Sequence, residues 1–368
     1  MQIETDVAVI GGGLVGIAVA YGLAKRGLSS VVLDEGDSAI RASRGNFGLV
    51  WVQGKGEALP AYTGWALRAS RLWPQLSQEL LALSGIDVAL SQAGGLYFCQ
   101  SPEDLEQRRA VLEKIGSQVT GPYEYEILDN AAARKLVPQL GEHVAGASYS
   151  RYDGHVSPIR LLQALHRAYQ KLGGSYLPDN PVDHIEHIGN KYRLKTPKST
   201  ITARKIVLAA GLGNAKMGDL LGVSVPVKPI RGQIMVTERL PPLFTLAMEQ
   251  VRQTDNGSLL LGSSWEDVGL DLNTTYKANT AIARSALQLF PFLRNVRVVR
   301  SWSALRIMSP DASPIYDEVS PGAFLVTCHS GVSLAAIHVF ETAGWVADGK
   351  IPLAMRSFRM ARFSAVSA

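Results

Sequence analysis

DVAVIGGGLVGIAVAYGLAKRGLSSVVLDEG, residues 6–36, reads as one βαβ unit. Val7 to Ile10 form a short apolar run suited to a strand buried on both faces. Gly11, Gly13 and Gly16 follow at GxGxxG spacing, then a helical run from Leu14 to Arg26 with Gly27 placed to cap it. A second apolar run, Val31 to Leu33, ends in Asp34, 18 residues after the last glycine. Each part has a physical task. Gly11 permits the tight turn, Gly13 lets a pyrophosphate approach the backbone, and Gly16 lets helix and strand lie close. The N–H groups opening the helix, at Leu14 and Val15, are free for phosphate oxygens. Asp34 can accept hydrogen bonds from a ribose, with Glu35 beside it. The unit predicts dinucleotide binding.

Around this unit lie 368 residues, enough for two domains. Hydrophobic residues make up 46% and charged residues 19%, an ordinary globular balance. The net charge of +5 comes without a dense basic stripe, which argues against nucleic acid as partner. Arg356, Arg359 and Arg362 gather near the C-terminus, either as a short amphipathic contact helix or as a solvated tail. Two cysteines, Cys99 and Cys328, exclude a disulfide framework and a self-contained four-cysteine iron–sulfur or zinc site. No apolar run reaches transmembrane length. The N-terminus lacks a basic n-region, and its removal as a leader would destroy the first strand, so a cytoplasmic location is expected.

Further along, residues 62–83 read as a helix with Pro74 as an early kink or boundary. Gly94 to Phe98 reads as a strand. Ser101-Pro102-Glu103-Asp104 opens a helix, and Asp129 caps another that runs towards Pro138. Ser157-Pro158 opens a third. Residues 182–188, 192–194 and 200–203 suggest a small antiparallel set, with Lys205–Ala210 as a separate buried strand. From Pro226 the pattern becomes strand-rich. Gly-x-Ser-x-Gly and HExxH are both absent, so neither a hydrolase elbow nor a zinc-protease helix is present.

The βαβ unit, Asp34 two residues before Gly36, and the segment Ala42-Ser43-Arg44-Gly45-Asn46-Phe47-Gly48 together resemble the FAD-dependent D-amino-acid oxidase superfamily of glycine oxidase, the sarcosine oxidases and D-amino-acid dehydrogenases. The longer stretch RASRGNFGLVWVQGKG is most similar to the catalytic β subunits of opine oxidases, which act on octopine- or nopaline-like secondary amines. The resemblance implies an α/β fold: a Rossmann-like FAD-binding domain (1–84, 150–225 and 301–368) interleaved with an α+β substrate domain (85–149 and 226–300) containing a mostly antiparallel sheet. It implies FAD contacts at Gly11, Gly13, Leu14, Val15, Gly16, Asp34, Glu35, Ala42, Ser43, Arg44, Asn46, Gly48, Leu49, Val182, Ala210 and Gly211. A late turn, Gly331, Val332, Ser333 and Leu334, would meet the flavin where a helix N-terminus favours negative charge.

Arg306 stands in Ala304-Leu305-Arg306-Ile307, where the family commonly has Gly-x-Arg-Pro. A guanidinium fork matches a carboxylate bidentately, so the resemblance makes Arg306 the substrate clamp. His329 falls at a second substrate-binding position, or is a hydrogen-bonded filler. Arg252 reaches substrate or sits in a surface hairpin. Trp51, Gln53 and Lys55 face substrate or a second redox group, or fill the domain boundary. The implied reaction is hydride transfer from Cα to flavin N5, giving an imine that water hydrolyses to an amino acid and a 2-keto acid. The implied partners are an α subunit and a small iron–sulfur subunit, and the resemblance allows FMN at a subunit interface. A stand-alone glycine or D-amino-acid oxidase making hydrogen peroxide and a non-catalytic flavin-binding subunit are the alternatives. A NAD-dependent dehydrogenase is disfavoured by the A-S-x-x-N-x-G loop.

Overall fold

The computed structural model describes residues 1–36 and 42–366; Arg41, in the stretch quoted for the resemblance, lies outside them. The first strand, Gln2–Ile10, pairs in parallel with Ser30–Leu33 on one side and Thr200–Leu208 on the other. Its side chains alternate in allegiance. Val7 and Val9 join one hydrophobic cluster, Ala8 and Ile10 another, so both faces of the sheet are covered. Ala323–Thr327 and Ser175–Leu177 extend the parallel sheet at its two ends, and Ile315–Ser320 adds an antiparallel edge. On the first face lie the helices Leu14–Lys25, Ala61–Ser84 and Pro158–Lys171, with the late segment Ala335–Asp348. Gly27, at φ +74°, closes the first helix as its sequence position requires.

The late segment carries one π turn, His338–Thr342, between two short α stretches. It opens at Ala335, three residues later than the sequence pattern suggests. A Cβ on Gly22 would lie 2.3 Å from the Val339 carbonyl, so the first helix and the π turn touch backbone to backbone. Arg26 donates to two carbonyls of the π turn, Val339 O at 3.2 Å and Phe340 O at 2.6 Å.

Two other sheets form the substrate side. One is antiparallel, in the order Val251–Gln253, Ser258–Gly262, Lys228–Arg239, Val298–Met308. The other runs Ala247–Met248, Gly95–Cys99, Gly146–Ser150, Glu126–Asp129. A third cluster, including Phe98, Met235, Leu261 and Phe290, packs between them. The expected capping boxes and caps are present. Ser101 and Asp104 exchange hydrogen bonds, and Asp129 and Ser157 each cap their helix.

Four expectations are corrected. Pro74 lies inside the unbroken helix Ala61–Ser84. Thr200–Leu208 is one strand, not two. Its first half pairs antiparallel with Lys191–Lys195 while its whole length runs parallel to Gln2–Ile10. The division at 300/301 cuts the strand Val298–Met308, which pairs along its length with Lys228–Arg239 and so carries residues 301–308 into the substrate-side sheet. The C-terminal arginines are not a solvated tail: they lie in and between two short 3₁₀ helices, Leu353–Phe358 and Met360–Val366, where Arg356 is exposed while Arg362 docks bidentately on Asp311, at 2.8 and 3.0 Å, and donates to the Pro314 carbonyl. Among the described residues no helix is long and apolar enough to cross a membrane.

Candidate active site

At the nucleotide end the geometry is set by backbone. Gly11, at φ +109°, turns the chain out of the first strand, and its N–H donates to Leu33 O at 2.7 Å. A Cβ on Gly16 would sit 1.9 Å from the Gly11 carbonyl oxygen, so helix and turn are in direct contact. Asp34 accepts from Gly12 N–H at 2.7 Å and from Gly36 N–H at 3.0 Å, which fixes the acid at the strand end beside the turn. His166 Nε2 donates to the Gly12 carbonyl at 2.9 Å. Burial holds the His166 pKa below its usual value, so it acts as a neutral prop. The Ser43 hydroxyl accepts from Leu14 N–H at 3.0 Å, bringing the second glycine-rich loop to the helix N-terminus. Asn46 Oδ1 accepts from Gly48 N–H at 2.7 Å within that loop. Asn180 N–H donates to the Asp34 carbonyl at 2.8 Å, which lays the segment leading to buried Val182 along the same strand end.

Beyond the turn, the chain closes on itself through residues far apart in sequence. Gly331 rests against Val15 and Leu14, with only 3.5 Å from a would-be Cβ to the Val15 side chain. The Ser333 hydroxyl accepts from Trp51 N–H and donates to Leu49 O, at 3.1 and 3.0 Å. The buried Trp73 indole donates to the Ser333 carbonyl. Val332 and Leu334 are buried beneath this turn. Ala210 N–H donates to Asn214 Oδ1 at 2.8 Å, and Gly211 lies 3.4 Å, from a would-be Cβ, to Ile307, the neighbour of Arg306. Trp302 donates to the Gly45 carbonyl. The substrate-side strand therefore rests on both nucleotide-side loops.

Above this floor four charged or polar side chains face one another. Arg306 crosses over Gly232, where any Cβ would lie 2.5 Å from the guanidinium. It donates to Ser264 O at 3.0 Å and Ser263 Oγ at 2.6 Å, and it stacks on Trp265 at 4.8 Å. Lys55 donates to Ser330 Oγ at 2.9 Å. Burial pushes its pKa down, as it does for Arg306. His329 lies edge-on to Trp265 with Nδ1 lacking a partner. Burial, reinforced by the Lys55 and Arg306 charges, holds His329 well below the ordinary imidazole pKa, so it is neutral. Glu249 joins them, its pKa raised by burial against the pull of Arg108, Arg306 and Lys55. Glu249 is exposed to solvent and the other three are half-buried, yet protein encloses all four deeply. Groups reached by solvent at that depth line an internal cavity.

Comparison with known proteins decides the family. The model for the family DAO, FAD dependent oxidoreductase, matches residues 6–347. The chain belongs to the DAO family of FAD-dependent oxidoreductases. The B subunit of opine oxidase from Agrobacterium tumefaciens (strain Ach5) is 41% identical over 368 residues, covering 99% of each chain. Its counterpart in Rhizobium meliloti, also an opine oxidase B subunit, is 40% identical, again over 99% of each. The crystal structure of glycine oxidase from Geobacillus kaustophilus superposes with a TM-score of 0.87 at 24% identity, covering 98% of this chain and 99% of that one, which bears out the mixed α/β fold.

The residues present fit the DAO cofactor, FAD. Its phosphates need a turn free of Cβ atoms at a strand's carboxyl end, and the Gly11–Gly13 turn is that, with the Ser43 hydroxyl, which holds Leu14 N–H, beside Gly13. The ring needs an enclosed cavity further along, and the Lys55–His329–Arg306 group lines one. Glu35 and Arg44 are exposed and Ala42 is half-buried.

Two expected substrate residues are not brought to that group. Arg252 lies in a hairpin, on the strand Val251–Gln253 paired with Ser258–Gly262, but it is buried there, and among the described residues no hydrogen bond joins it to Arg306. Its charge bears on His155, whose pKa falls to about 4, chiefly through burial. Burial lowers Arg252 itself to about 10. Trp51 is 8% exposed, wedged against Gly95 at the seam between the domains. Gln53 is likewise a seam residue. It donates to Asp153 and Gly95 O and accepts from Arg108 and Ser148. Sequence reasoning missed Glu249, Trp265 and His166. Glu249 left one signal, an acid directly after the apolar run Leu246-Ala247-Met248.

Proposed function

We propose that this enzyme oxidises the Cα–N bond of an amino-acid-derived secondary amine, an opine such as octopine or nopaline, as the catalytic subunit of a complex. The observation that carries the substrate class is the likeness to the opine oxidase B subunit at 41% identity over 99% of both chains. The site's chemistry agrees with it. Arg306 presents two Nη groups from a strand held by two serines and a tryptophan ring, a rigid mount for a substrate carboxylate. Gripping the carboxylate fixes which way the Cα–H points. Bound FAD supplies the acceptor for that hydrogen and its two electrons.

The substrate amine must be neutral for its lone pair to assist C–H cleavage. Lys55 and Arg306 favour that form, since two enclosed positive charges oppose a third. Neutral His329 offers Nδ1 to a polar atom of the substrate. The oxidised product is an imine. Water adds to its carbon and the C–N bond breaks, leaving an amino acid and a 2-keto acid. With two cysteines in the chain, an iron–sulfur cluster would belong to another subunit, and an α subunit is the partner this reading expects. FMN between the two subunits is part of the same proposal.

The test is an anaerobic titration of the complex purified with its native partners. Octopine or nopaline bleaches the oxidised-flavin absorbance, and glycine and D-alanine do so far more slowly. Bleaching by glycine at an equal rate would replace this reading with that of a simple amino-acid oxidase.

A further inference from the structure

Arg306 and His329 have tasks in the reaction just described; Glu249 has none. Backbone pairing fixes its place in the fold. It follows Ala247–Met248, which pairs in parallel with Gly95–Leu96, and its N–H donates to Leu96 O at 3.3 Å. The next residue, Gln250, accepts from Gly262 N–H at 3.0 Å. Gly262 leads directly into Ser263 and Ser264, the two residues that hold Arg306. Glu249 therefore stands beside the mount of the carboxylate clamp. Yet its carboxylate makes no hydrogen bond and no ion pair with any described residue.

The surrounding charges locate it within the cavity. Ala247 pairs with Gly95 and Met248 with Leu96, so parallel register sets Glu249 beside Tyr97. Tyr97, on the strand Gly95–Cys99, responds to Glu249 before any other charge and to Arg108 next. Glu249 thus stands on the Tyr97–Arg108 side of the group. Arg108 does not reach it. Its Nε and Nη2 are committed to Ser148 and Gln53, at 2.9 and 2.8 Å, and its guanidinium stacks on Tyr97 at 4.2 Å. Once a ligand displaces water from the cavity, a carboxylate with no partner becomes costly, and a cation supplied by that ligand removes the cost.

We infer that Glu249 is the subsite for a cationic side-chain terminus of the substrate, a guanidinium or an ammonium, on the Tyr97 side of the cavity. The inference rests on the proposal that the substrate is an amino-acid-derived amine. A molecule clamped by its carboxylate at Arg306, with its reacting nitrogen near His329, directs a long side chain towards the Tyr97 wall. An arginine-derived opine then meets Glu249 with a group of opposite charge and matching fork geometry. A neutral side chain leaves that carboxylate unpaired.

The experiment compares octopine with the corresponding norvaline derivative, on the complex with its native partners, in wild type and in Glu249→Gln. The ratio of kcat/KM for octopine over the norvaline compound falls about 10- to 100-fold in Glu249→Gln, mostly through KM, the loss expected of one hydrogen-bonded charge pair. Glu249→Asp, with its charge set back by one methylene, retains more of the ratio than Glu249→Gln. A ratio that moves less than about twofold in Glu249→Gln, or equally in both variants, overturns the subsite while leaving amine oxidation standing. Wild-type flavin bleached by neither compound overturns the amine-oxidation reading itself, and the subsite with it.

Discussion

The nucleotide turn and the substrate wall of this molecule are built on opposite plans. The turn is backbone against backbone: Gly16 touches the Gly11 carbonyl, and Asp34 ties the end of one strand to the start of the helix. Its parts lie within 36 residues and have no room for side chains. The wall is side chains against empty space. Lys55, Glu249, Arg306 and His329 come from four separate segments and enclose charge that the protein itself only partly pairs. A change at the turn should therefore fail as structure, and a change at the wall as chemistry.

The strongest way to break that contrast is Gly16→Ala. The new methyl would meet a backbone oxygen at 1.9 Å, where nothing flexible can yield, so the helix must lift from the strand. We expect about 4 kcal/mol or more of destabilisation and protein that purifies without yellow flavin colour. A stable, yellow Gly16→Ala protein would show that the turn tolerates what the wall does not. At the wall, Arg306→Ala should leave FAD content and melting temperature near wild type. Its kcat/KM for substrate should drop about a thousandfold, the cost of deserting a charged, hydrogen-bonded partner. Loss of flavin from Arg306→Ala would erase the distinction between the two regions.

The same contrast explains what can be read from the chain alone. The Gly11–Asp34 unit is legible because its constraints are local: glycine spacing, strand, helix and acid occur within one unbroken stretch. The helix caps at Ser101 and Asp129 are legible for the same reason. The placement of Arg306 follows from a resemblance rather than from its neighbours. Its mount depends on Gly232, Ser263, Ser264 and Trp265, none of which announces a role in its own segment. Periodicity divides Thr200–Leu208 because one strand serves two neighbours of opposite direction, a feature that side-chain alternation does not carry. Arg252 misleads because an arginine beside a glutamine in a polar-looking turn carries no sign that the strand will bury it.

The seam between the two regions sharpens the comparison on a smaller scale. Asp153 is fully buried and accepts from Val52 N–H at 2.6 Å, Gln53 N–H at 3.4 Å and Gln53 Nε2 at 2.7 Å. It anchors the loop that delivers Trp51 and Lys55. Asp153→Asn keeps one acceptor oxygen for the Val52 and Gln53 N–H groups but turns an amide donor onto Gln53 Nε2. We expect a loss of about 1–3 kcal/mol in chemical denaturation, the cost of a stranded buried donor. KM should rise with little change in FAD content, because Lys55 shifts while the Gly11 turn does not.

The smallest effect is a pH dependence that pits the seam against the nucleotide-side core. His338 is fully buried in the π turn, its Nε2 3.0 Å from the Tyr316 hydroxyl, and burial lowers its pKa to about 3. The native state keeps it neutral while the unfolded chain protonates near the usual value. Its contribution to stability is therefore present above about pH 6.5 and declines as pH falls towards 3, amounting to about 2 kcal/mol between pH 7 and 5. Asp153 has the opposite sign. Burial raises it to about 7, so between its ordinary carboxylate value and that point the native state holds a proton that the unfolded state has lost, and stability rises as pH falls through the same window. The two slopes nearly cancel in the wild type, so its melting curve alone tells little. Variants separate them. His338→Phe should grow more stable relative to its own value at pH 7 as pH drops to 5, and Asp153→Asn less stable. If both variants follow the wild-type profile, neither buried group titrates differently on folding, and the pH response must come from the exposed surface that both regions share.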